Sequence, residues 1–183
     1  NPSGKLPFSF PAKLTDCGAH AFDELSYPGD SIKQEYKEDI LVGYRWHDTK
    51  EIPALFPFGH GLSYTTFTYG KPVASAKAMA ADGTLTVTVA VKNTGSIAGK
   101  EIVQLYVGDD KCSVLRPVKE LKHFAKVGLA PGEEKSVTFT LTPDDLKFYD
   151  EASAAWKYEP GKFKAYVCAS SADVRGVVSF EMQ

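Results

Sequence analysis

From Thr66 onward, apolar and polar residues alternate in runs that predict β-strands. Over Thr84–Lys92, residues Leu85, Val87, Val89 and Val91 share one face, with Thr86, Thr88 and Lys92 on the other. Glu101–Val107 sets Val103, Leu105 and Val107 against Ile102, Gln104 and Tyr106. Val137, Phe139 and Leu141 alternate with Ser136, Thr138 and Thr140. Phe163, Ala165 and Val167 alternate with Lys164, Tyr166 and Cys168, and Val178, Phe180 and Met182 close the chain. Turn chemistry separates these runs. Asn93-Thr94-Gly95 interrupts one, while Ala130-Pro131-Gly132-Glu133 and Glu159-Pro160-Gly161-Lys162 carry Pro at i+1 and Gly at i+2, the pattern of a type II turn. Thr142-Pro143-Asp144-Asp145 reads instead as an N-cap, a proline at N1 and two carboxylates facing the positive helix end, so one helical turn crossing between sheets is predicted there.

About seven short alternating strands between residues 66 and 183 predict an all-β, immunoglobulin-like two-sheet sandwich. The Cys…Trp…Cys spacing of antibody domains is missing, and a closed barrel is the alternative topology. Residues 1–65 follow another grammar. They hold six of the 11 prolines and six of the 15 glycines, together with Phe8, Phe10, Tyr27, Tyr36, Tyr44 and Trp46. Phe56, Phe58 and Tyr64 complete an aromatic content too high for a disordered linker. This half reads as a long irregular N-terminal arm that lies on another surface. Prolines at both ends limit Lys5–Pro11 to a short edge strand, and a few helical turns are predicted near Ser31–Tyr36.

Charge changes this picture by exclusion. The 21 basic and 23 acidic residues are scattered and give a net charge of −2, so no basic stripe points to nucleic acid. No run of 18 apolar residues exists, so no membrane-spanning helix is predicted. The chain opens Asn1-Pro2-Ser3-Gly4 without an initiating Met, which reads as a start cut from something longer. Cys17, Cys112 and Cys168 are odd in number and far apart, which is no disulfide framework, although one bond stays open.

Two stretches carry a specific likeness. One is Leu55-Phe56-Pro57-Phe58-Gly59-His60-Gly61-Leu62-Ser63-Tyr64-Thr65-Thr66-Phe67, preceded by Val42-Gly43-Tyr44-Arg45 and Asp48. The other is Val103-Gln104-Leu105-Tyr106-Val107, followed by Arg116-Pro117-Val118-Lys119-Glu120-Leu121, Pro131-Gly132-Glu133 and Phe148-Tyr149-Asp150. In this order they resemble the tail of glycoside hydrolase family 3 enzymes, the β-glucosidases and β-xylosidases. Asn1–Pro7 is similar to the last strand region of that family's second, α/β domain. The resemblance implies a remnant of that domain over residues 1–13, a linker arm over 14–65 and a fibronectin type III-like sandwich over 66–183. It also implies that the nucleophilic Asp and the acid/base Glu lie upstream of Asn1, in a parent that hydrolyses terminal β-linked sugars outside the cytoplasm, periplasmic or secreted. This stretch then supplies no catalytic residue. Trp46-His47 departs from the family pattern, where two tyrosines are common, and Cys112 stands in a loop usually built of Ser.

Few residues suit chemistry on their own. A retaining glycosidase needs two carboxyl groups roughly 5–5.5 Å apart, whereas Glu38-Asp39, Asp109-Asp110 and Asp144-Asp145 are adjacent in sequence and read as solvated turn or capping groups. Cys17-x-x-His20 is half a zinc motif without its other half, so no metal and no cofactor are expected. Gly59-x-Gly61 lacks the helix that a phosphate loop needs and reads as a tight bend. Trp46, Trp156 and Tyr158 are the candidate sugar platforms, against a docking role for Trp46 and sandwich packing for Trp156. Arg116, held extended and outward by Pro117, suits Asp109, Asp110 or Glu120 as a carboxylate partner. Arg45, Phe56, Phe58, Tyr64, Arg116 and Glu120 are the expected interface residues. Two functional readings follow: an architectural module that braces the parent's catalytic domains, and an accessory module that binds carbohydrate. The arm is also a candidate for self-association, and its own Lys33, Lys37, Arg45 and Lys50 are the expected sites of tryptic cleavage.

Overall fold

The computed structural model describes residues 1–183. In residues 1–65, β1 (Phe10–Pro11) pairs antiparallel with β2 (Ala54–Phe56); between them lie two 3-10 turns, Leu14–Asp16 and Gly18–His20, and one short α-helix, α1 (Tyr44–Thr49). The sandwich then runs through β3 (Phe67–Tyr69), β4 (Val73–Ala74), β5 (Ala78–Met79), β6 (Leu85–Asn93) and β7 (Gly99–Asp109). It continues with β8 (Glu120–Leu129), β9 (Glu134–Leu141), the helical turn α2 (Pro143–Leu146), β10 (Phe148–Asp150) and β11 (Ala155–Lys157). Two long strands, β12 (Gly161–Ser170) and β13 (Asp173–Met182), finish the chain.

One sheet is built on β6, which pairs antiparallel with β3, β4 and β9. The other has the order β5-β13-β12-β7-β8, with β5 parallel to β13 and the remaining pairs antiparallel. The period-2 alternation decides which side chains meet between the sheets. Leu85, Val87, Val89 and Val91 of β6 and Val137, Phe139 and Leu141 of β9 face Val103, Leu105, Val107, Phe163, Ala165 and Val167 from the other sheet. On the opposite side of the β6–β9 pair, the Thr88 and Thr138 hydroxyls are hydrogen-bonded at 2.9 Å. The strand register read from the sequence is the one observed.

Thr142 caps α2 as predicted: its backbone N–H and its hydroxyl both donate to the Asp145 carboxylate, at 2.8 and 3.1 Å. Gly132 has φ +77°, as a type II turn requires. Three local expectations are corrected. Glu159–Lys162 is not a turn, because Gly161 is drawn into β12 opposite Met182 and the Lys162 carbonyl accepts from Asp110 N–H. Ser31–Tyr36 is not helical; Asp30 Oδ1 accepts from the N–H groups of Ile32 and Lys33, and the Lys33 carbonyl accepts from Asp30 N–H, closing a local loop instead. The strand expected over Lys5–Pro11 is reduced to Phe10–Pro11, while Leu6 exchanges backbone hydrogen bonds with Gly59 and His60.

A fourth correction matters most for function. Gln104 and Tyr106 belong to the outer face of β7, yet Tyr106 is fully buried and Gln104 nearly so, as is Cys168 of β12. Residues 44–59 cover them.

Candidate functional site

The arm meets the sandwich along a seam of directed polar contacts. Gly43, at φ +62°, starts α1, and the helix sets Tyr44 and Asp48 one turn apart on a single face. Both reach the strand entry at Val118–Leu121. Tyr44 Oη accepts from Leu121 N–H at 2.9 Å, Thr49 Oγ1 accepts from Val118 N–H at 3.0 Å, and Lys119 Nζ donates to Asp48 Oδ2 at 2.7 Å. The Lys119 and Asp48 side chains are both about nine-tenths buried, at 9% and 11% exposure, so this pair is shielded from screening. Burial pushes the Asp48 carboxyl up, and Lys119 only partly opposes it.

Glu120 is the second fastening. Its carboxylate receives Arg116 Nη2 at 2.9 Å from the preceding loop and Arg45 Nη2 at 3.1 Å from α1, with Lys122 Nζ at 3.6 Å. Burial pushes the Glu120 carboxyl up, but Lys122, then Arg116 and Arg45, outweigh it and hold the group below the usual carboxylate range. Lys122 is lowered, chiefly by its own burial, with Arg116 adding to the effect. Arg116 also donates to the Leu146 carbonyl at 3.0 Å and stands 3.6 Å from Asp109. The sequence named both of its carboxylate partners but aimed it outward; it is buried, because the loop folds back over α2 and Phe148, whose ring lies 5.6 Å from the guanidinium carbon.

The third fastening is Gly59. Its φ of +78° is the left-handed region, and a Cβ there would collide with the Gln104 carboxamide. The close approach lets Gln104 Nε2 donate to the Gly59 carbonyl at 3.2 Å and to Ala169 O at 2.8 Å, while its Oε1 accepts from Tyr106 Oη at 2.7 Å. Phe58 adds a backbone bond from Ser171 N–H at 2.8 Å, and its ring stacks on Tyr44 with centroids 4.8 Å apart. Desolvation holds the Tyr106 hydroxyl well above its ordinary range and raises the Cys168 thiol to about 12, as expected beneath a sealed surface.

Of the residues expected at the interface, Arg45, Phe58, Arg116 and Glu120 converge on this seam. Phe56 and Tyr64 do not; they are exposed at 44% and 74%. Phe56 pairs edge-on with Phe10 in an apolar cluster that includes Phe8. Trp46 offers no open ring face: it is buried against Phe22, and its indole N–H donates to Asp16 O at 3.1 Å. Trp156 is the reverse. It is 65% exposed on β11, edge-on to Tyr149, and does not pack within the sandwich. All three cysteines are free thiols. Asp109, Cys112 and Glu159 bring potential ligand atoms within 4.8 Å of one another, but Arg116 already supplies positive charge there and Glu159 is engaged by the N–H and hydroxyl of Ser113.

Sequence reasoning missed Lys119, Asp48, Tyr44 and Gln104 as fastenings. The signal for two of them was present, since Tyr44 and Asp48 have helical i, i+4 spacing; Gln104, on the polar side of an alternating strand, gave none.

Residues 101–171 match the Fibronectin type III-like domain family. The chain is 67% identical over 180 residues to Beta-glucosidase BoGH3A of Bacteroides ovatus, covering 98% of this chain and 24% of that protein. It is 51% identical over 174 residues to Thermostable beta-glucosidase B of Acetivibrio thermocellus, covering 95% of this chain and 22% of that protein. Among solved structures, DesR, a β-glucosidase from Streptomyces venezuelae in complex with D-glucose, superimposes with a TM-score of 0.90 at 42% identity, covering 100% of this chain and 23% of the other. The chain thus spans about a quarter of the length of these relatives.

Proposed function

Given that this chain belongs with the C-terminal region of family 3 glycoside hydrolases and carries their fibronectin type III-like domain, we propose that it is the non-catalytic, architectural module of such an enzyme. In this reading residues 1–13 finish the preceding α/β domain, 14–65 form the linker arm and 66–183 the sandwich. The parent would hydrolyse terminal β-linked glucosides, with both catalytic carboxylates upstream of Asn1, and the arm would lie between the sandwich and those upstream domains.

The observation that carries the reading is the unspent aromatic surface of the arm. After the seam has formed, Phe8, Phe10, Phe56, Leu62 and Tyr64 remain 44–76% exposed, and each forgoes part of the roughly 1.5–3 kcal/mol that burial of a large apolar side chain supplies. Phe10, Phe56 and Leu62 line one open hollow, with Phe8 packed on Phe10, and such an apolar surface supports a second docking face.

The test is deletion of residues 1–183 from the longer polypeptide that this reading requires. Loss of soluble enzyme, or a melting temperature several degrees lower, is expected. Unchanged kcat, KM and melting temperature would overturn the bracing role. The 183-residue chain itself is expected to release no nitrophenol from nitrophenyl β-glucoside above a blank, and turnover by the purified chain would refute the non-catalytic assignment.

A further inference from the structure

A cavity of about 720 Å³ lies where three segments meet: Asp39–Arg45 of the arm, the Val114–Pro117 loop and the β10–β11 hairpin. One wall is aromatic. Trp156 and Tyr149 stand 65% and 51% exposed, with ring centroids 5.7 Å apart at 71° in an edge-on pair. Ile40 and Leu115, at 43% and 52% exposure, add apolar lining. The Glu120 cluster with Arg45 and Lys122 lines the cavity too. Four acidic and four basic side chains line the cavity in all, so its formal charge balances to zero.

From this arrangement we propose that the groove binds a neutral oligosaccharide chain, with Trp156 as its stacking platform. The charge balance selects the ligand class. A phosphate, a nucleic acid or an anionic lipid surface requires excess positive charge, and here each cation sits beside a carboxylate. A neutral polyol meets no such penalty, because every hydroxyl both donates and accepts and so pairs with guanidinium, ammonium and carboxylate groups in turn. The aromatic wall selects further. An aromatic side chain that is two-thirds exposed gives the apolar C–H face of a pyranose a surface to cover, while the sugar's equatorial hydroxyls stay free for the charged groups. The supports are rigid. Phe148, on the same hairpin as Tyr149 and Trp156, is held between Arg116 and Lys157, each 5.6 Å from the ring, and β10 is paired with β11 through Tyr149 opposite Trp156. The groove therefore exists only when the arm is docked, since Asp39, Ile40 and Arg45 form one side of it.

The test is titration of the 183-residue chain with cellohexaose, read by calorimetry, together with migration in native gels containing hydroxyethylcellulose. This reads ligand heat on the chain itself, whereas the deletion above reads stability of the longer polypeptide, so either can fail alone. Saturable binding and retarded migration are expected. Trp156→Ala should weaken binding by about tenfold or more, the scale of a lost aromatic anchor, and Trp156→Phe should recover part of it. Because Trp156 is exposed, these variants should melt with the wild type; Tyr149→Ala provides a second removal on the same wall. No heat and no retardation would overturn the proposal, as would retention unchanged in both alanine variants. Stronger binding of polygalacturonate than of cellohexaose would overturn the neutral-ligand assignment. A concentration-dependent dimer abolished by Trp156→Ala would assign the wall to a second copy of the chain instead.

Discussion

The two halves of this molecule are held by different physics. The sandwich rests on an 18-residue apolar core gathered from both sheets by strict alternation. The arm buries only Leu41 and Trp46 among its large apolar side chains and is located by hydrogen bonds and ion pairs at Asp48, Glu120 and Gly59. Apolar burial is non-directional and sums to a large stabilisation, whereas each polar fastening is directional and contributes little net. The first kind of force makes a domain; the second decides where a segment of irregular backbone lies on it.

Substitutions on the two sides should separate these contributions. The largest effect is expected at Phe139, where truncation to Ala removes a ring from the core and should cost about 3–5 kcal/mol. Thr88→Ala, on the far side of the same strand pair, should stay within about 1 kcal/mol. Thermal melts shifted equally by the two changes would break the assigned register. Gly59→Ala comes next. It demands φ +78° of an L-residue and drives a methyl into Gln104, for about 1–3 kcal/mol of backbone strain alone. Hydrogen exchange should rise at Gln104–Tyr106 and Ser171 while the β6–β9 amides keep their protection, and a uniform loss would mean that arm and sandwich unfold as one unit.

Glu120→Gln should cost about 1–2 kcal/mol at pH 7 by removing charge from hydrogen bonds to Arg116 and Arg45. The Glu120 carboxyl is depressed in the folded chain relative to its ordinary 4.5. Its stabilisation is therefore complete above pH 4.5 and is lost as pH falls through the lower folded value. The difference in melting temperature between wild type and variant should close across that acid window, and a gap constant down to pH 3 would contradict the clasp. The smallest effect is local. Arg45 lies within the docked helix and Lys50 caps its end, so trypsin should cut first after Lys33, whose side chain is 56% exposed in an irregular loop. This narrows the sequence expectation of cleavage along the whole arm, and early products ending at Arg45 would mean that α1 detaches.

The sandwich was legible because its information is local: β6 states its inner face four times in seven residues, and the Thr142–Asp145 cap states its helix in four. The arm was legible only as irregular and aromatic. Its resting place depends on pairs such as Lys5 with Glu101 and Asp48 with Lys119, far apart in the chain and without periodicity. Arg116 shows the boundary between the two cases. Its chemistry named its carboxylate partners, but its direction depended on how the loop folds over Phe148, which no pattern in the sequence encodes.

The arm precedes everything that holds it, and this sets a schedule for synthesis. Lys5 leaves the ribosome 96 residues before Glu101, which at ~5–20 residues per second is a wait of roughly 5–20 s. Through that interval the outer face of β7 that will receive Tyr44 and Phe58 does not yet exist. Gly59 must then wait for Ala169, on the penultimate strand, before the Gln104 carboxamide can bridge the two. The fastenings of residues 1–65 are thus completed only by strands made long after them.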